Sequence, residues 1–395
     1  MRFHHLCLLG LLLASGCKKE EAPSPPAQGG AKAPVAATPP AAQSIKVGIV
    51  TGVGGRGDQS FNDSALRGLE LWSAGKKYVA NGYQDATAQE VKESLPPDLS
   101  QRNPPITPLG ITPVVLETKA QEDLETNLQL LVDQGVTLTT GVGFMLEGAV
   151  EIVAKRNPDA RFLLIDSQLL TPQGTPYTLP NVRTVVFREE QGSFLVGAMA
   201  ALVTKTGKVG FVGGVEVPLI KKFEAGFRAG IMAANPKATV LTNYTGSFNN
   251  ISAGKAVAQD MLAKGADVIY HVAGADGLGV IQAVKEAREN NKPVYVIGVD
   301  SDQSHLAPDA VLTSMVKRVD LAIYDTARDL VQNRFTSGDI ALGLKESGVN
   351  YVPVRVEFPG KEEVLRKVEE FRAKIISGEI KVPTHPSQLT NPPTP

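Results

Sequence analysis

The segment Lys46-Val-Gly-Ile-Val50 is a short apolar run, and a glycine-rich turn at 51–57 and an apolar pattern of helical period at 61–73 follow it directly. Similar pairs recur, with further apolar runs at 114–117, 136–140, 161–166, 182–187, 208–212, 239–243, 267–271 and 294–300. Uniformly apolar strands that each precede a helix are typical of parallel sheets covered on both faces. Because one parallel sheet of so many strands is unusual, the pattern predicts two α/β lobes.

The composition limits the class of protein. The 395 residues carry 40 Lys plus Arg against 41 Asp plus Glu, a formal net charge of −1, which argues against a nucleic-acid-binding protein. The chain is 43% hydrophobic and 21% charged, as is usual for a folded protein, and its length suits two domains or two lobes of about 150 residues. Cysteine occurs only at Cys7 and Cys17, so the body contains neither a disulfide framework nor a cysteine metal site.

The N-terminus has the features of a secretory signal peptide, predicted to span residues 1–16. Leu6 to Leu13 form an apolar run, and Ala14-Ser15-Gly16-Cys17 follow it. A helix that crosses a membrane needs about 20 residues, so this run is too short to do so. The ending resembles the lipobox of bacterial lipoproteins, which implies cleavage before Cys17 and acylation of that residue, with palmitate as one such chain. Acyl chains would anchor the protein to a membrane. Ordinary cleavage that releases a free protein is the alternative.

The segment 17–44 is predicted to be a disordered tether. Fourteen of the 27 residues at 18–44 are Ala or Pro, and Leu, Ile, Phe and Met do not occur there. Such a segment cannot bury enough apolar surface to fold. Two other segments lack periodicity: 76–113, with six prolines, is predicted to be an exposed insertion between the first helix and the second strand, and 381–395 is a Pro-rich tail.

Polar residues follow several of the predicted strands. Asp58 and Asn62 lie in the first such loop, and Asp166, His271 and Asp300 end later strands. Each Asp alone is explained by a helix N-cap or a solvated turn, and His271 by a core or turn position. In parallel sheets, however, ligands bind beyond the carboxyl ends of the strands, so their shared position indicates that some of them converge on one cleft.

Catalytic and cofactor motifs are weak in this sequence. Gly52, Gly54 and Gly57 satisfy G-x-G-x-x-G, but the acidic residue expected about 20 residues later is missing, because that distance falls near Lys77. The patterns H-E-x-x-H, G-x-S-x-G and G-x-x-x-x-G-K-[ST] do not occur. We therefore expect no catalytic residue, no metal and no cofactor, and a secreted two-lobed protein of this kind is typical of a transport receptor.

Several motifs carry a family resemblance. They include Gly57-Asp58-Gln-Ser-Phe61-Asn62, Gly141-Val-Gly-Phe-Met145, Phe223-Glu-Ala-Gly-Phe-Arg-Ala-Gly230, His271-Val-Ala-Gly-Ala-Asp-Gly-Leu-Gly279, Gly298-Val-Asp-Ser-Asp-Gln303 and Leu312-Thr-Ser-Met-Val-Lys-Arg-Val-Asp320. In this order they resemble the basic membrane protein (PnrA-like) family of substrate-binding lipoproteins of ABC transporters, many of which bind purine nucleosides. The resemblance runs from about residue 45 to 380.

The resemblance implies a type I periplasmic-binding-protein fold, in which two Rossmann-like lobes with parallel sheets are joined by a hinge of three crossovers. Lobe 1 is then predicted to comprise 45–187 plus 319–350, and lobe 2 to comprise 188–318 plus 351–380. The predicted partners are ABC permease subunits and, through the lipid, the membrane. The predicted location is the periplasmic or extracellular face of the cell envelope.

The family's ligand site transfers to eight residues of this sequence. Phe61 and Phe223, from opposite lobes, would sandwich the purine ring. Asp58 and Asn62 would meet the base edge, with Asp166 nearby. The resemblance further implies that Asp300 accepts hydrogen bonds from the ribose hydroxyls, that Lys317 approaches the same sugar, and that Gly274 leaves room for it; these site residues are Asp58, Phe61, Asn62, Asp166, Phe223, Gly274, Asp300 and Lys317.

Two other functions remain open at this point. A receptor of the same fold that binds a sugar or a signalling compound and acts on a sensor partner would have the same sequence features. An extracytoplasmic enzyme that acts on nucleosides is the other alternative, because acid–base chemistry needs only a tuned pair of carboxylates.

Overall fold

Strands and helices alternate along residues 45–389, which are the residues that the computed structural model describes. In chain order the strands are β1 (Lys46–Val50), β2 (Lys76–Val79), β3 (Gly82–Asp85), β4 (Thr112–Leu116), β5 (Leu138–Val142), β6 (Arg161–Ile165), β7 (Leu169–Leu170), β8 (Pro176–Tyr177), β9 (Val182–Phe187), β10 (Lys208–Gly213), β11 (Thr239–Tyr244), β12 (Val268–Val272), β13 (Tyr295–Asp300), β14 (Val311–Lys317), β15 (Gly338–Leu342) and β16 (Val349–Tyr351).

The α-helices are α1 (Phe61–Leu66), α2 (Ala88–Glu93), α3 (Leu124–Asp133), α4 (Glu147–Arg156), α5 (Glu189–Val203), α6 (Pro218–Ala234), α7 (Ile251–Ala263), α8 (Asp276–Glu289), α9 (Val319–Val331) and α10 (Lys361–Ser377). The predicted helix at 61–73 is present, but its second half, Arg67–Ser73, is a π-helix. Among residues 45–389, no helix combines the length and the apolar character that a membrane crossing needs.

Two six-stranded sheets form the two lobes. Sheet 1 has the order β15-β9-β6-β5-β1-β4 and is parallel throughout. Sheet 2 has the order β11-β10-β12-β13-β14-β16 and is parallel except for β16, which runs antiparallel to β14. Central strands such as β5 and β12 are buried along their whole length, because helices cover both faces of each sheet. The predicted fold class, a type I periplasmic-binding-protein fold with two parallel-sheet lobes, is confirmed.

Three connections cross between the sheets. They lead from β9 to α5, from β14 to α9 and from β15 to β16. Helix α9 packs on α1 and the following π-helix in lobe 1, whereas α5 packs on α6 and α10 in lobe 2. The lobe boundary predicted after residue 350 falls inside β16, which belongs to sheet 2. Within the described residues 45–389, both sheets belong to one compact unit.

The insertion at 76–113 is more ordered than its sequence pattern indicates. It contains the hairpin β2–β3 and the helix α2, which begins with a capping box of Thr87 and Glu90. Its apolar residues bury themselves against lobe 1 in one cluster, which consists of Trp72, Val91, Leu99, Ile106, Leu321 and Tyr324. These elements are too short to produce a recognisable period, which explains why the sequence predicts a loop there.

The insertion also contacts the second crossover. Along β14 and beyond it, side chains alternate between two sides, so Lys317 lies in the cleft between the lobes, while Val316 and Arg318 face a groove lined by insertion residues. In that groove the guanidinium of Arg318 donates to both carboxylate oxygens of Asp98, at 2.6 and 2.7 Å. The crossover backbone is therefore tied to the insertion.

Some predictions fall on the ends of the chain. The signal peptide at 1–16, Cys17 and the tether at 17–44 lie outside the described residues, as do residues 390–395 of the predicted tail. The part of the tail that is described forms one 3-10 turn, Pro386–Gln388, and Leu389 packs against the main hydrophobic core.

Candidate functional site

A cavity lies between the two lobes at the carboxyl ends of the strands. It contains about 720 Å³ of space, a figure that includes the open solvent at its mouth. All eight residues transferred from the family line it, namely Asp58, Phe61, Asn62, Asp166, Phe223, Gly274, Asp300 and Lys317. The topology brings them together, because parallel strands present their carboxyl ends at one edge of each sheet.

Asp166 and Asp300 occupy equivalent places in the two lobes. Asp166 directly follows β6 in sheet 1, and Asp300 is the last residue of β13 in sheet 2. Both adopt positive φ angles, +74° and +62°, in the left-handed region that Asp enters more readily than most residues. Both are buried. Each lobe therefore contributes one carboxylate to the cavity from the same structural position.

Lys317 is the buried cation of the site. Its ammonium lies 2.6 Å from the carboxylate of Asp166 and 3.4 Å from that of Glu189. Burial alone disfavours the ammonium, but Asp166, Glu189 and Asp300 together raise the pKa of Lys317, so it stays charged. Glu189 in turn receives a hydrogen bond of 2.6 Å from Lys222 on α6. A continuous chain of alternating charges therefore crosses from one lobe to the other beneath the cavity.

Two aromatic rings from opposite lobes flank this ammonium. The Nζ atom of Lys317 lies 5.0 Å from the ring centroid of Phe61 and 5.4 Å from that of Phe223, within the range of cation–π attraction. Phe61 begins α1 and is half-buried, whereas Phe223 on α6 is only 2% exposed. Both rings contribute to the lining of the same cavity, so the pair reaches it from both lobes.

Asp58 is engaged within its own loop. Its two oxygens accept four hydrogen bonds, from the backbone amides of Ser60, Asn62 and Asp63 and from the Asn62 side chain, at 2.8–3.1 Å. Burial raises the pKa of this carboxyl, and the backbone amides offset part of the shift. Because a carboxylate has about four acceptor positions, little capacity is left for a ligand. The predicted contact of Asp58 with the base edge therefore finds its oxygens already occupied.

Asn62 has a fixed side-chain orientation. Its Oδ1 accepts from the amide of Gly52 at 3.1 Å, and its Nδ2 donates to Asp58 at 3.0 Å. These two bonds leave one N–H of the amide group and one lone pair on Oδ1 unused, and Asn62 lines the cavity. Of the two polar residues predicted for the base edge, Asn62 is the one with hydrogen-bonding capacity to spare.

Asp300 is more open to a ligand. Its Oδ2 accepts a hydrogen bond of 2.5 Å from the hydroxyl of Ser60, and within residues 45–389 no group donates to its Oδ1. Burial raises the pKa of Asp300 to about 6, although Lys317 and Ser60 act in the opposite direction. The carboxyl is thus ionised at neutral pH and has one oxygen available.

Gly274 packs closely against Phe248, whereas the sequence predicts that it leaves room for a sugar. A side chain at this position would lie 3.1 Å from the backbone oxygen of Phe248 and 3.4 Å from its Cβ. The φ of Gly274 is +54°, which also favours glycine. The absence of a side chain is therefore required first for the packing of the loop that carries Phe248.

The sequence prediction misses two aromatic residues of the cavity. Phe144, after β5, and Phe248, after β11, come from different lobes, and their ring centroids are 6.4 Å apart at an interplanar angle of 70°. Their position at strand ends is a usable signal, but it is weaker for an apolar ring than for a polar side chain.

His271 is a core residue. It is fully buried, and its Nε2 lies 3.0 Å from the side-chain oxygen of Gln303. Because this oxygen also accepts from the backbone amide of Val299, the ring nitrogen is the donor in this contact. Burial lowers the pKa of His271 to about 4. Within residues 45–389, no group of three or more His, Cys, Asp or Glu residues is arranged to hold a metal ion.

Comparisons with known proteins agree with this architecture. The chain is 35% identical over 356 residues to the "CD4+ T-cell-stimulating antigen" of Listeria monocytogenes, covering 87% of this chain and 89% of that protein. It is 31% identical over 357 residues to the "ABC transporter nucleoside-binding protein BmpA" of Lactococcus lactis, covering 86% and 89%.

A solved structure of an ABC transporter solute-binding protein from Aeropyrum pernix K1 superposes with a TM-score of 0.69 at 29% identity, covering 86% of this chain and 93% of that one. Residues 45–385 match the family described as "ABC transporter substrate-binding protein PnrA-like". The chain therefore belongs to the PnrA-like family of ABC transporter substrate-binding proteins, whose role is to bind a substrate and not to catalyse a reaction.

Proposed function

We propose that this protein is a lipid-anchored receptor that captures a purine nucleoside between its two lobes and delivers it to an ABC permease. The observation that carries the proposal is the pair Phe61 and Phe223, which reach one cavity from opposite lobes beside the carboxylate of Asp300. A relative named as a nucleoside-binding protein supports the same ligand class.

The aromatic pair suits a flat heterocycle. Stacking of a base on an aromatic side chain contributes about 1–3 kcal/mol, and it does not require a particular base. Phe144 and Phe248 add apolar walls to the same cavity. The polar capacity left on Asn62 would then act on the base edge.

The carboxylate of Asp300 suits a ribose. A free carboxylate oxygen facing a vicinal diol makes charge-assisted hydrogen bonds, which are stronger than neutral ones. A deoxysugar lacks one donor and would leave the buried oxygen unpaired, which is costly. We therefore expect ribonucleosides to bind more tightly than 2′-deoxyribonucleosides.

Capture would proceed by hinge closure. Because each lobe supplies part of the site, a ligand binds the closed form better than the open form and shifts the population toward it. The closed form would then dock on the permease, and the acyl group on Cys17 would keep the receptor at the membrane.

Calorimetry and thermal melting of the purified full chain test the proposal. Guanosine, inosine or adenosine should release or absorb heat and raise the melting temperature, whereas ribose alone and free guanine should bind much more weakly. Failure of every purine nucleoside to bind would reject the assignment. Binding of ribose as tightly as a nucleoside would favour the alternative of a sugar receptor.

A further inference from the structure

Ser60 stands in a position where its hydroxyl would normally cap a helix. It is the residue before α1, and a serine there usually accepts a hydrogen bond from one of the first backbone amides of the helix. In this protein its side chain makes no such bond. The amides of Asn62 and Asp63 are instead taken by the carboxylate of Asp58, two residues earlier.

The hydroxyl of Ser60 is used between the lobes. It donates to Oδ2 of Asp300 at 2.5 Å, so a residue of lobe 1 holds one oxygen of the carboxylate that lobe 2 presents to the cavity. Ser60 is fully buried, so no water competes for this contact. The preceding residue, Gln59, has a φ of +52°, an uncommon conformation for a residue with a side chain.

Side chains of lobe 2 also donate hydrogen bonds to the backbone around Ser60. The hydroxyl of Ser301 donates to the carbonyl of Ser60 at 3.2 Å, and the side-chain amide of Gln303 donates to the carbonyl of Gln59 at 3.1 Å. Gln303 is itself fixed inside lobe 2, because its oxygen accepts from Val299. These hydrogen bonds therefore fix the position of the loop that carries Phe61 relative to the loop that carries Asp300.

We propose that Ser60 is a positioning residue for ligand recognition: its hydroxyl orients the carboxylate of Asp300 so that Oδ1 faces the ligand, and it fixes this carboxylate relative to Phe61 on the other lobe. Asp58 makes this possible by capping α1 in place of Ser60. The inference rests on the proposed function for the identity of the ligand, but the contact between Ser60 and Asp300 does not depend on it.

The charged and titratable groups that face Asp300 come from four elements. They are Lys317 at the end of β14, Asp166 after β6, Asp58 after β1 and Tyr270 on β12. Of these, Lys317 favours the ionised carboxyl, and Asp166 and Asp58 oppose it. Ser60 favours ionisation through its hydrogen bond, so its removal should raise the pKa of Asp300 while the other groups stay unchanged.

The test compares Ser60→Ala with Ser60→Thr and with Ser64→Ala. Ser64 is also buried and accepts a hydrogen bond from the amide of Asp320, but this contact lies within lobe 1 and outside the cavity. Two quantities are measured on the full chain: guanosine affinity by calorimetry, and the titration of the Asp300 carboxyl by carbon NMR without ligand. The NMR measurement is a readout that a purely structural role would not change.

Ser60→Ala is expected to weaken guanosine binding about tenfold and to move the titration midpoint of Asp300 upward by about 1 pH unit. Ser60→Thr keeps the hydroxyl and should restore both values. Ser64→Ala should lower the melting temperature and change neither. An unchanged affinity and midpoint in Ser60→Ala would overturn the proposal.

The experiments can reject the proposed function and the proposed role of Ser60 independently of each other. If wild-type protein binds no nucleoside, the proposed function is wrong, and the NMR titration then decides the role of Ser60 alone. An upward shift in Ser60→Ala would still support its control of Asp300 toward another ligand, and an unshifted midpoint would reject it.

Discussion

The ammonium of Lys317, the last residue of β14 in sheet 2, lies 2.6 Å from the carboxylate of Asp166, which directly follows β6 in sheet 1. Both are almost fully buried, with 2% and 5% of their side chains exposed. Removal of one member of a buried pair leaves an uncompensated charge, which costs more than the pair contributes. This contact therefore links the stability of the chain to the geometry of its cavity.

Replacement of this lysine is expected to destabilise the protein strongly. Lys317→Met leaves Asp166 and Glu189 without their shared cation, and the free energy of unfolding should fall by about 3–5 kcal/mol in urea denaturation. The double variant Lys317→Met with Asp166→Asn should lose less than the sum of the single variants. Lys155→Met, at an exposed pair with Glu151 on α4, is the control and should leave the midpoint unchanged. Strict additivity would show that the buried pair is not coupled.

Ligand affinity is expected to rise with pH through about 6. Below this pH the raised pKa of Asp300 keeps the carboxyl protonated, so it no longer accepts two hydroxyl hydrogen bonds as an anion. For folding the sign is opposite: an acid with a raised pKa contributes most to stability below its unfolded value, and this contribution is lost as pH rises through about 6. Guanosine calorimetry from pH 5 to 8 should show the dependence in the wild type and a flat profile in Asp300→Asn. A flat wild-type profile would contradict it.

Phe61 and Phe223 are each expected to contribute to ligand affinity by stacking of the ring face on the base. Phe61→Leu retains an apolar side chain but loses the stack, so nucleoside affinity should fall by about 1–3 kcal/mol in calorimetry. Phe223→Leu should lose a similar amount and also some stability, because this ring is buried. Phe358→Leu is the matched control: this half-buried ring packs against Tyr295, outside the cavity, and its loss should not change affinity. Equal affinities in all three variants would exclude stacking.

The contact of the insertion with the crossover is expected to stabilise the fold. Asp98→Asn removes the carboxylate that binds the buried Arg318, and the free energy of unfolding should fall by about 1–3 kcal/mol. Asp85→Asn is the control within the same insertion, because Asp85 pairs with Lys76 at an exposed position. The unfolding midpoint of that variant should match the wild type. A loss of the same size in both variants would point to the insertion as a whole and not to Arg318.

We expect substitutions of the two cysteines to have opposite effects on lipidation. Cys17→Ala should abolish incorporation of labelled palmitate and move the protein from the membrane fraction to the soluble fraction. Cys7→Ala, within the predicted signal peptide, should retain both the label and the membrane location. Label retained in Cys17→Ala would reject the lipid anchor at this residue.

The sequence predicts those parts of the site that follow from strand ends. Asp166, Asp300 and Lys317 are identifiable because a charged residue that closes an apolar strand is seldom part of the hydrophobic core. Phe144 and Phe248 escape prediction, since an apolar residue at a strand end cannot be distinguished from a core residue by pattern alone.

Other features depend on three-dimensional detail that periodicity does not encode. The four hydrogen bonds that occupy Asp58 result from the backbone path of its loop, including the left-handed Gln59. The burial of the insertion against Trp72 depends on a tertiary contact with α9. The antiparallel direction of β16 follows from its connection and not from its three residues.

Lys317 and Arg318 are consecutive residues whose side chains serve different surfaces, the cavity and the groove beside the insertion. If the crossover backbone shifts when the cavity fills, the bond between Arg318 and Asp98 would pass this shift on to the segment that carries Asp98. A fluorophore attached at the exposed Ser100, two residues further on, would sense occupancy without touching the bound molecule. This makes the insertion a suitable place to build an optical biosensor.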